Sequence, residues 1–140
     1  MKVLYAATDQ IIPGRTGGSV HTLEVARGLA ARGHEVHAIS KLVPGSKSRE
    51  ERDGFTLHRI SWSPAHRFFR FRALGGVLKI LDDVRPEVLM ERYYNFGGEV
   101  IRAAHLRGVP SLLDVNSPAV DTPGSLKSVL DALTKELRNL

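Results

Sequence analysis

The 140-residue sequence contains no cysteine, so neither a disulfide framework nor a thiolate metal site is available to it. The absence of cysteine fits a reducing compartment. No segment approaches the ~20 apolar residues that a transmembrane helix needs, and the apolar run at residues 3–7 is too short for a signal peptide. We therefore expect a cytoplasmic protein whose contact with a membrane, if any, is peripheral.

Familiar catalytic and metal-binding patterns are also missing. The six histidines show no paired spacing typical of a zinc site, since His34 and His37 are separated by a helix end. No serine, histidine and aspartate stand out as a nucleophilic constellation. The sequence therefore predicts no bound metal and no cofactor, and it indicates no catalytic residue.

Acidic residues are in the minority, with 15 Asp and Glu against 20 Lys and Arg, for a net charge of +5. This balance favours anionic partners such as phosphorylated small molecules, acidic lipid or nucleic acid. A basic surface that is merely solvated is an equally good interpretation. We predict no nucleic-acid partner, because the basic residues are scattered and no recognition motif is present.

The sequence does contain a regular alternation of short apolar segments with amphipathic ones. Short apolar runs predict strands, and apolar positions at spacings of three and four predict helices. The predicted strands are residues 3–7, 36–40, 55–60, 86–90 and 110–115, and the predicted helices are residues 20–31, 68–81, 97–107 and 125–137. This order predicts a single Rossmann-like α/β domain with a parallel sheet and helices on both faces.

Local signals refine this prediction. Ser19 is expected to be the N-cap of the first helix, and Gly33 and Gly108 fit the position that follows a helix end. Residues 41–53 are polar and are expected to form an exposed loop. The strand 55–60 alternates loosely and is expected at a sheet edge.

Ligands of parallel sheets bind beyond the carboxyl ends of the strands. Three predicted loops share that edge, and they are residues 8–18, 91–96 and 116–124. The first contains Gly14, Gly17 and Gly18 before a helix, and a helix N-terminus suits a phosphate or carboxylate. Its spacing matches neither a dinucleotide fingerprint nor a P-loop. Gly17 and Gly18 either let a ligand approach the backbone or form a tight turn.

Polar residues follow the two later strands. Glu91, Arg92 and Tyr93 could bind the hydroxyl groups of a sugar-like ligand, or Glu91 could pair with Arg92 while the tyrosine packs. Asp114 and Asn116 point to the same side of a strand. Either could contact a ligand, and the alternative is a cap on the loop that follows.

A basic and aromatic stretch at residues 66–72 falls largely off the apolar stripe of its predicted helix. Arg67, Phe69 and Arg70 could make peripheral contact with anionic lipid. An ordinary basic surface with one partly covered phenylalanine is an equally good interpretation.

Three segments together resemble a known family. They are Gly17-Gly18-Ser19-Val20-His21 with the following residues 24–36, then Arg85-Pro86-Glu87-Val88-Leu89-Met90-Glu91-Arg92-Tyr93, and Gly108-Val109-Pro110 to Asp114-Val115-Asn116-Ser117-Pro118. Their order and spacing are similar to the N-terminal domain of retaining glycosyltransferases of the GT-B fold, family-4 type. Asp114 stands where the family pattern has glutamate.

The resemblance implies a two-domain enzyme that moves a sugar from a nucleotide-sugar donor to a sugar or lipid-linked acceptor. It implies that Gly17 and Gly18 form the loop near the donor diphosphate. It also implies a set of residues on the acceptor side, namely His21, Glu91, Arg92, Tyr93 and Asn116. Asn116 occupies the place of a histidine in many members.

Two domains of this size do not fit in 140 residues. We therefore expect a truncated GT-B fold in which residues 1–140 form the N-terminal domain, the C-terminal donor-binding domain is absent and the chain alone is inactive. An exposed sheet edge could pair two copies into a homodimer. The alternative function is a non-catalytic α/β module that binds a phosphorylated ligand at the helix N-terminus after Gly17 and Gly18.

Overall fold

The computed structural model describes residues 1–61, 71–93 and 98–116. The strands are β1 (Lys2–Ala6), β2 (Glu35–Lys41), β3 (Arg49–Arg52), β4 (Phe55–Ile60), β5 (Val88–Arg92) and β6 (Ser111–Asp114). The helices are α1 (Gly17–Ala31), α2 (Phe71–Val84) and α3 (Glu99–Leu106). The predicted helix 125–137 and the basic residues around Phe69 lie outside the described residues.

The strands form one six-stranded sheet in the order β3-β4-β2-β1-β5-β6. All neighbours pair in parallel except β3, which runs antiparallel to β4. The chain builds outward from β1 through β2 to β4 and then returns to the other side of β1 with β5. This reversal creates a topological switch point between β1 and β5, the place where open α/β sheets bind ligands.

Helices cover both faces of the sheet, and this confirms the predicted α/β architecture. On one face Ala26 of α1 packs with Val36 and Phe55. On the other face Val77 of α2 and Val100 of α3 share a second apolar cluster with β1, β2 and β5. Burial on both sides explains why the central strands read as continuous apolar runs.

The prediction of a loop at residues 41–53 is wrong, because this segment contains β3. Pairing with β3 also means that Phe55–Ile60 is not an edge strand. The sequence of β3 is Arg-Glu-Glu-Arg. Charged side chains suit an exposed sheet edge, but they carry no apolar alternation from which a strand could be predicted.

The sequence predicted the C-terminal ends of the helices more accurately than their N-terminal ends. Gly33 and Gly108 follow α1 and α3 with φ of 84° and 65°, as predicted for glycines after a helix. Ser19 is not the N-cap of α1, because the helix begins at Gly17 and Thr16 takes the capping position. None of the helices in the described part of the chain combines the length and the apolar character needed to cross a bilayer.

Candidate functional site

The carboxyl ends of β1, β5 and β6 lie at one edge of the sheet, as the sequence predicted, and the strand order places the switch point there. The Tyr5 hydroxyl on β1 donates to Oδ2 of Asp114 on β6 at 2.6 Å. Beyond β1, the Thr8 hydroxyl donates to Oε1 of Glu99 on α3 at 2.8 Å. We call these strand ends, together with the N-terminus of α1, the switch-point edge.

The N-terminus of α1 opens onto the switch-point edge. Thr16 caps the helix, since its Oγ1 accepts from the Ser19 N–H at 3.1 Å, and its hydroxyl donates to Oε1 of Gln10 at 2.9 Å. Within the described ranges, no residue accepts from the backbone N–H of Gly17 or Gly18. These two donors belong to the first turn, which lacks partners inside the helix, so they can bind an anion.

The three glycines of this loop have different surroundings. A Cβ at Gly18 would lie 2.6 Å from Oε1 of Gln10 and 2.9 Å from Cζ of Arg92. A Cβ at Gly14 would overlap the carbonyl oxygen of Ile11, whereas a Cβ at Gly17 would meet nothing within 4 Å. Gly18 therefore allows the Gln10 side chain and the Arg92 guanidinium to pack on the helix start, Gly14 is required by the turn itself, and Gly17 faces open space.

Arg92 ends β5 and brings its guanidinium to the start of α1. Its side chain is 16% exposed, and its Nη1 lies 3.7 Å from Oδ2 of Asp9. That distance exceeds the ~2.7–2.9 Å of a charge-assisted hydrogen bond. Its buried Nε has no hydrogen-bond partner among the residues that the structure describes. A guanidinium with unused donors beside a helix N-terminus favours an anionic ligand.

Glu91 precedes Arg92 but points to the opposite side of β5, as successive strand residues do. It is 1% exposed. Its Oε1 accepts from the Gly98 N–H at 3.1 Å and its Oε2 from the Ile101 N–H at 3.0 Å. Glu91 thus holds the N-terminus of α3 under the switch-point edge. It does not form the pair with Arg92 that the sequence analysis gave as an alternative.

Asp114 contacts side chains from two other elements, β1 and α1, and from the residue Asn116 after β6. Its Oδ2 accepts from the Tyr5 hydroxyl and lies 2.9 Å from Nε2 of His21. Burial acts to raise the pKa of the Asp114 carboxyl, but the hydrogen bonds from Tyr5 and His21 outweigh burial and lower that pKa. Burial and the bond to Asp114 raise the pKa of the Tyr5 phenol. Asn116 is exposed, with Nδ2 3.5 Å from the same oxygen.

A sequence profile of the glycosyl transferase 4-like domain matches residues 16–138, which is most of the chain. This chain belongs to the glycosyl transferase 4-like family. The family confirms the resemblance that the three sequence segments indicated. Curated proteins give no significant match to the sequence.

Two solved structures match this glycosyl transferase 4-like domain over most of its length. One is a sucrose-phosphate synthase from Thermosynechococcus elongatus, with a TM-score of 0.62, 12% identity and coverage of 95% of this chain and 39% of the synthase. The other is a ugt transferase from Siraitia grosvenorii in complex with UDP, with a TM-score of 0.52, 18% identity and coverage of 80% and 23%.

A third similar structure is the C-terminal domain of a hydrogenase from Pyrococcus furiosus, with a TM-score of 0.56, 13% identity and coverage of 81% of this chain and 90% of that domain. At such identities the likeness shows the α/β fold alone. The glycosyl transferase 4-like domain spans well under half the length of both glycosyltransferases.

Within this glycosyl transferase 4-like domain, the predicted residues Gly17, Gly18, His21, Arg92 and Asn116 lie together at the switch-point edge. Glu91 lies beneath that edge, as described above. The backbone N–H of Tyr93 donates to the Asp114 carbonyl at 2.8 Å, which joins β5 to β6.

Sequence reasoning did not select Tyr5, Thr8 or Asp9 for the switch-point edge of this glycosyl transferase 4-like domain. Tyr5 carried a usable signal, because a phenol inside a buried apolar strand needs a hydrogen-bond partner. Thr8 and Asp9 carried a weaker signal, since they directly follow a strand whose end was expected to face a ligand.

No group of three or more metal-ligating side chains occurs in the described part of the chain.

Proposed function

We propose that this protein transfers a sugar from a nucleotide-sugar donor to a sugar or lipid-linked acceptor, and that residues 1–140 form its N-terminal, acceptor-side domain. The observation that carries the proposal is the guanidinium of Arg92, which packs on Gly18 at the N-terminus of α1. A cation and a helix N-terminus together suit a phosphorylated ligand. Their position at the switch point, in a chain of this family, favours a donor diphosphate.

The donor side of the proposed site is the start of α1. Gly17 and Gly18 carry first-turn N–H groups that no described residue accepts. Because a Cβ at Gly17 would meet nothing within 4 Å, the space beside Gly17 lets a diphosphate oxygen approach this backbone closely. In this proposal the nucleoside itself binds to a second α/β domain across a cleft.

The acceptor side of the proposed site is the end of β5 and β6. His21, Arg92, Tyr93 and Asn116 offer an imidazole, a guanidinium, a phenol and an amide, which are groups that hydrogen-bond hydroxyls or phosphate. Glu91 belongs to this set through the start of α3, because both its oxygens hold backbone N–H groups there. Glu91 therefore shapes the acceptor side from below.

The test uses the protein that the complete reading frame encodes and a panel of nucleotide sugars, with release of nucleoside diphosphate as the readout. We expect one donor to be turned over, and we expect Arg92→Ala to lower turnover at least tenfold. Arg107→Ala is the matched control, because Arg107, directly after α3, makes an exposed ion pair with Asp82 of α2. Absence of turnover with every donor would contradict the proposal.

The second candidate function is a non-catalytic module that holds a phosphorylated ligand, and the same helix N-terminus favours it. Binding of UDP or inorganic phosphate without turnover, together with a reading frame that encodes no second α/β domain, would support this candidate over the transferase.

We further propose a cytoplasmic location with peripheral membrane contact through Arg67, Phe69 and Arg70, which lie outside the described residues. Liposome flotation at low salt, with and without anionic lipid, tests this contact.

A homodimer through the β6 edge is also proposed, because Leu112 and Leu113 are 57% and 49% exposed there. Sedimentation of the wild type and Leu113→Lys tests it.

A further inference from the structure

The side chains of Tyr5, His21 and Asp114 come from three different elements and meet at Oδ2 of Asp114. Tyr5 comes from β1, His21 from the second turn of α1 and Asp114 from the end of β6. Oδ2 of Asp114 is 2.6 Å from the Tyr5 hydroxyl and 2.9 Å from Nε2 of His21. The proposed transfer assigns no role to Tyr5 or Asp114, although together they fix the geometry of His21.

The charge of Asp114 determines which nitrogen of His21 carries the proton. An ionised carboxylate has no proton to donate and can only accept. Nε2 of His21 must therefore be protonated to bond Oδ2 of Asp114. In a neutral imidazole the other nitrogen, Nδ1, is then a bare acceptor.

Nδ1 of His21 can therefore accept a hydrogen bond from a ligand. No described residue donates to it, and the side chain of His21 is 39% exposed. His21 lies one helical turn after Gly17 and Gly18, on the side of α1 that reaches Asp114. A fixed acceptor at this place suits a ligand that carries a hydroxyl group.

We propose that Asp114 and Tyr5 are positioning residues that hold His21 with Nδ1 toward the switch-point edge, where Nδ1 accepts a hydrogen bond from a hydroxyl of the sugar acceptor. The identity of the ligand rests on the proposed function, whereas the tautomer of His21 does not. The lowered pKa of Asp114 agrees with this arrangement, because it keeps the carboxylate ionised.

The first part of the test is spectroscopic and uses the chain with ¹⁵N-labelled histidine, well above the ordinary histidine pKa of ~6.5. We expect His21 to be protonated at Nε2 alone, with a slowly exchanging Nε2 proton. Asp114→Ala should abolish that slow exchange, and Tyr5→Phe should weaken it. His105, which is exposed in the last turn of α3, is the internal control. An Nδ1-protonated His21 would overturn the proposal.

The second part titrates the same chain with the methyl glycosides of glucose, mannose and galactose, at concentrations well above ~1 mM. We expect at least one glycoside to shift the His21 Nδ1 resonance while that of His105 stays in place. His21→Phe and Asp114→Ala should each weaken this binding about tenfold, and the double variant should weaken it no further. His105→Gln should bind as the wild type does.

Glycoside binding that leaves Nδ1 unchanged, or no response to any of the glycosides, would overturn the acceptor contact. His21→Phe keeps the test decisive if Asp114→Ala does not fold, because it alters no strand. Failure of the proposed transfer would be seen separately, as nucleotide sugars that are not turned over while the glycoside response at His21 persists.

Discussion

Gly14 and Gly17 lie in one loop but should respond oppositely to a side chain. In Gly14→Ala the new methyl group would overlap the backbone oxygen of Ile11, whereas in Gly17→Ala it would meet open space. Backbone cannot move aside as cheaply as a flexible side chain, so we expect Gly14→Ala to lower the free energy of unfolding by roughly 1–3 kcal/mol. Urea denaturation measures this. Gly17→Ala is the control and should not be destabilised.

His58 should make the fold sensitive to mild acid. It stacks on His37 with ring centroids 5.2 Å apart. Burial, followed by the charges of His37 and Arg49, lowers the pKa of His58 from 6.5 to about 4. Glu51 and Asp83 act in the opposite direction but are outweighed. The unfolded chain then binds a proton more readily than the folded chain. Stability should therefore fall as the pH drops from 6.5 to about 4.

Urea midpoints across that pH range, for the wild type and His58→Gln, measure this effect. The difference between the two curves should be constant above pH 6.5, because His58 is then unprotonated in both the folded and the unfolded chain. Parallel curves at lower pH would show that His58 does not contribute.

At the residue scale, the sequence predicts which positions matter better than it predicts their partners. The strand–glycine–helix pattern located Gly17 and Gly18 at a helix N-terminus, and the structure agrees. The contact of Gly18 with Arg92 could not be predicted, because it depends on β5 lying next to β1. The bond between His21 and Asp114 likewise joins α1 to a strand at the far side of β5.

At the element scale, α3 should depend on a carboxylate from the preceding strand. Glu91 accepts two backbone N–H groups at the start of α3 and is buried. In Glu91→Gln, one accepting oxygen becomes an NH₂ group that faces an N–H donor. We expect the free energy of unfolding to fall by about 1–3 kcal/mol, measured by urea denaturation. Glu24→Gln, at an exposed carboxylate of α1 that pairs with Arg27, is the control, and an equal loss there would contradict the specific role of Glu91.

The pairing of β3 with β4 should depend on a buried cation. Arg59 is 4% exposed at its side chain, and its guanidinium donates to the carbonyls of Ile12 and Lys47 and to Glu50. Hydrogen bonds from Arg59 and then Arg52 lower the pKa of Glu50 from 4.5 to about 2. The folded chain therefore keeps Glu50 charged at a pH where the unfolded chain protonates it.

Because the pKa of Glu50 is lower in the folded state, its contribution is complete above pH 4.5 and disappears as the pH falls to about 2. Urea midpoints of wild type and Glu50→Gln should converge over this range. Glu24→Gln is the control, since Glu24 pairs with Arg27 on the exposed side of α1. A constant gap between wild type and Glu50→Gln would contradict the prediction.

Apolar periodicity explains which elements were predictable. Strands β1, β2, β4, β5 and β6 and the described helices all carry apolar patterns, and each was predicted within a few residues of its observed bounds. β3 consists of four charged residues, so its pairing is set by the turn at Asp53 and Gly54, both with positive φ, and by Arg59. Such tertiary contacts leave no periodic signal.

At the scale of the whole molecule, the strand order brings the groups of the proposed site to one edge of the sheet. That edge gathers the first-turn N–H groups of α1, Arg92 and the polar side chains around Asp114. The sucrose-phosphate synthase and the ugt transferase, which have a similar fold, are more than twice as long as residues 1–140.

We therefore expect residues 1–140 alone to turn over no nucleotide sugar, because contacts to phosphate without contacts to the nucleoside leave the donor weakly held and unoriented. The measurement is release of nucleoside diphosphate by the 140-residue chain, beside the product of the complete reading frame. Phosphate contacts should still give the short chain weak, salt-sensitive binding of UDP, which Arg92→Ala removes. Turnover by the short chain would contradict this prediction and would require the donor-binding groups to lie within residues 1–140.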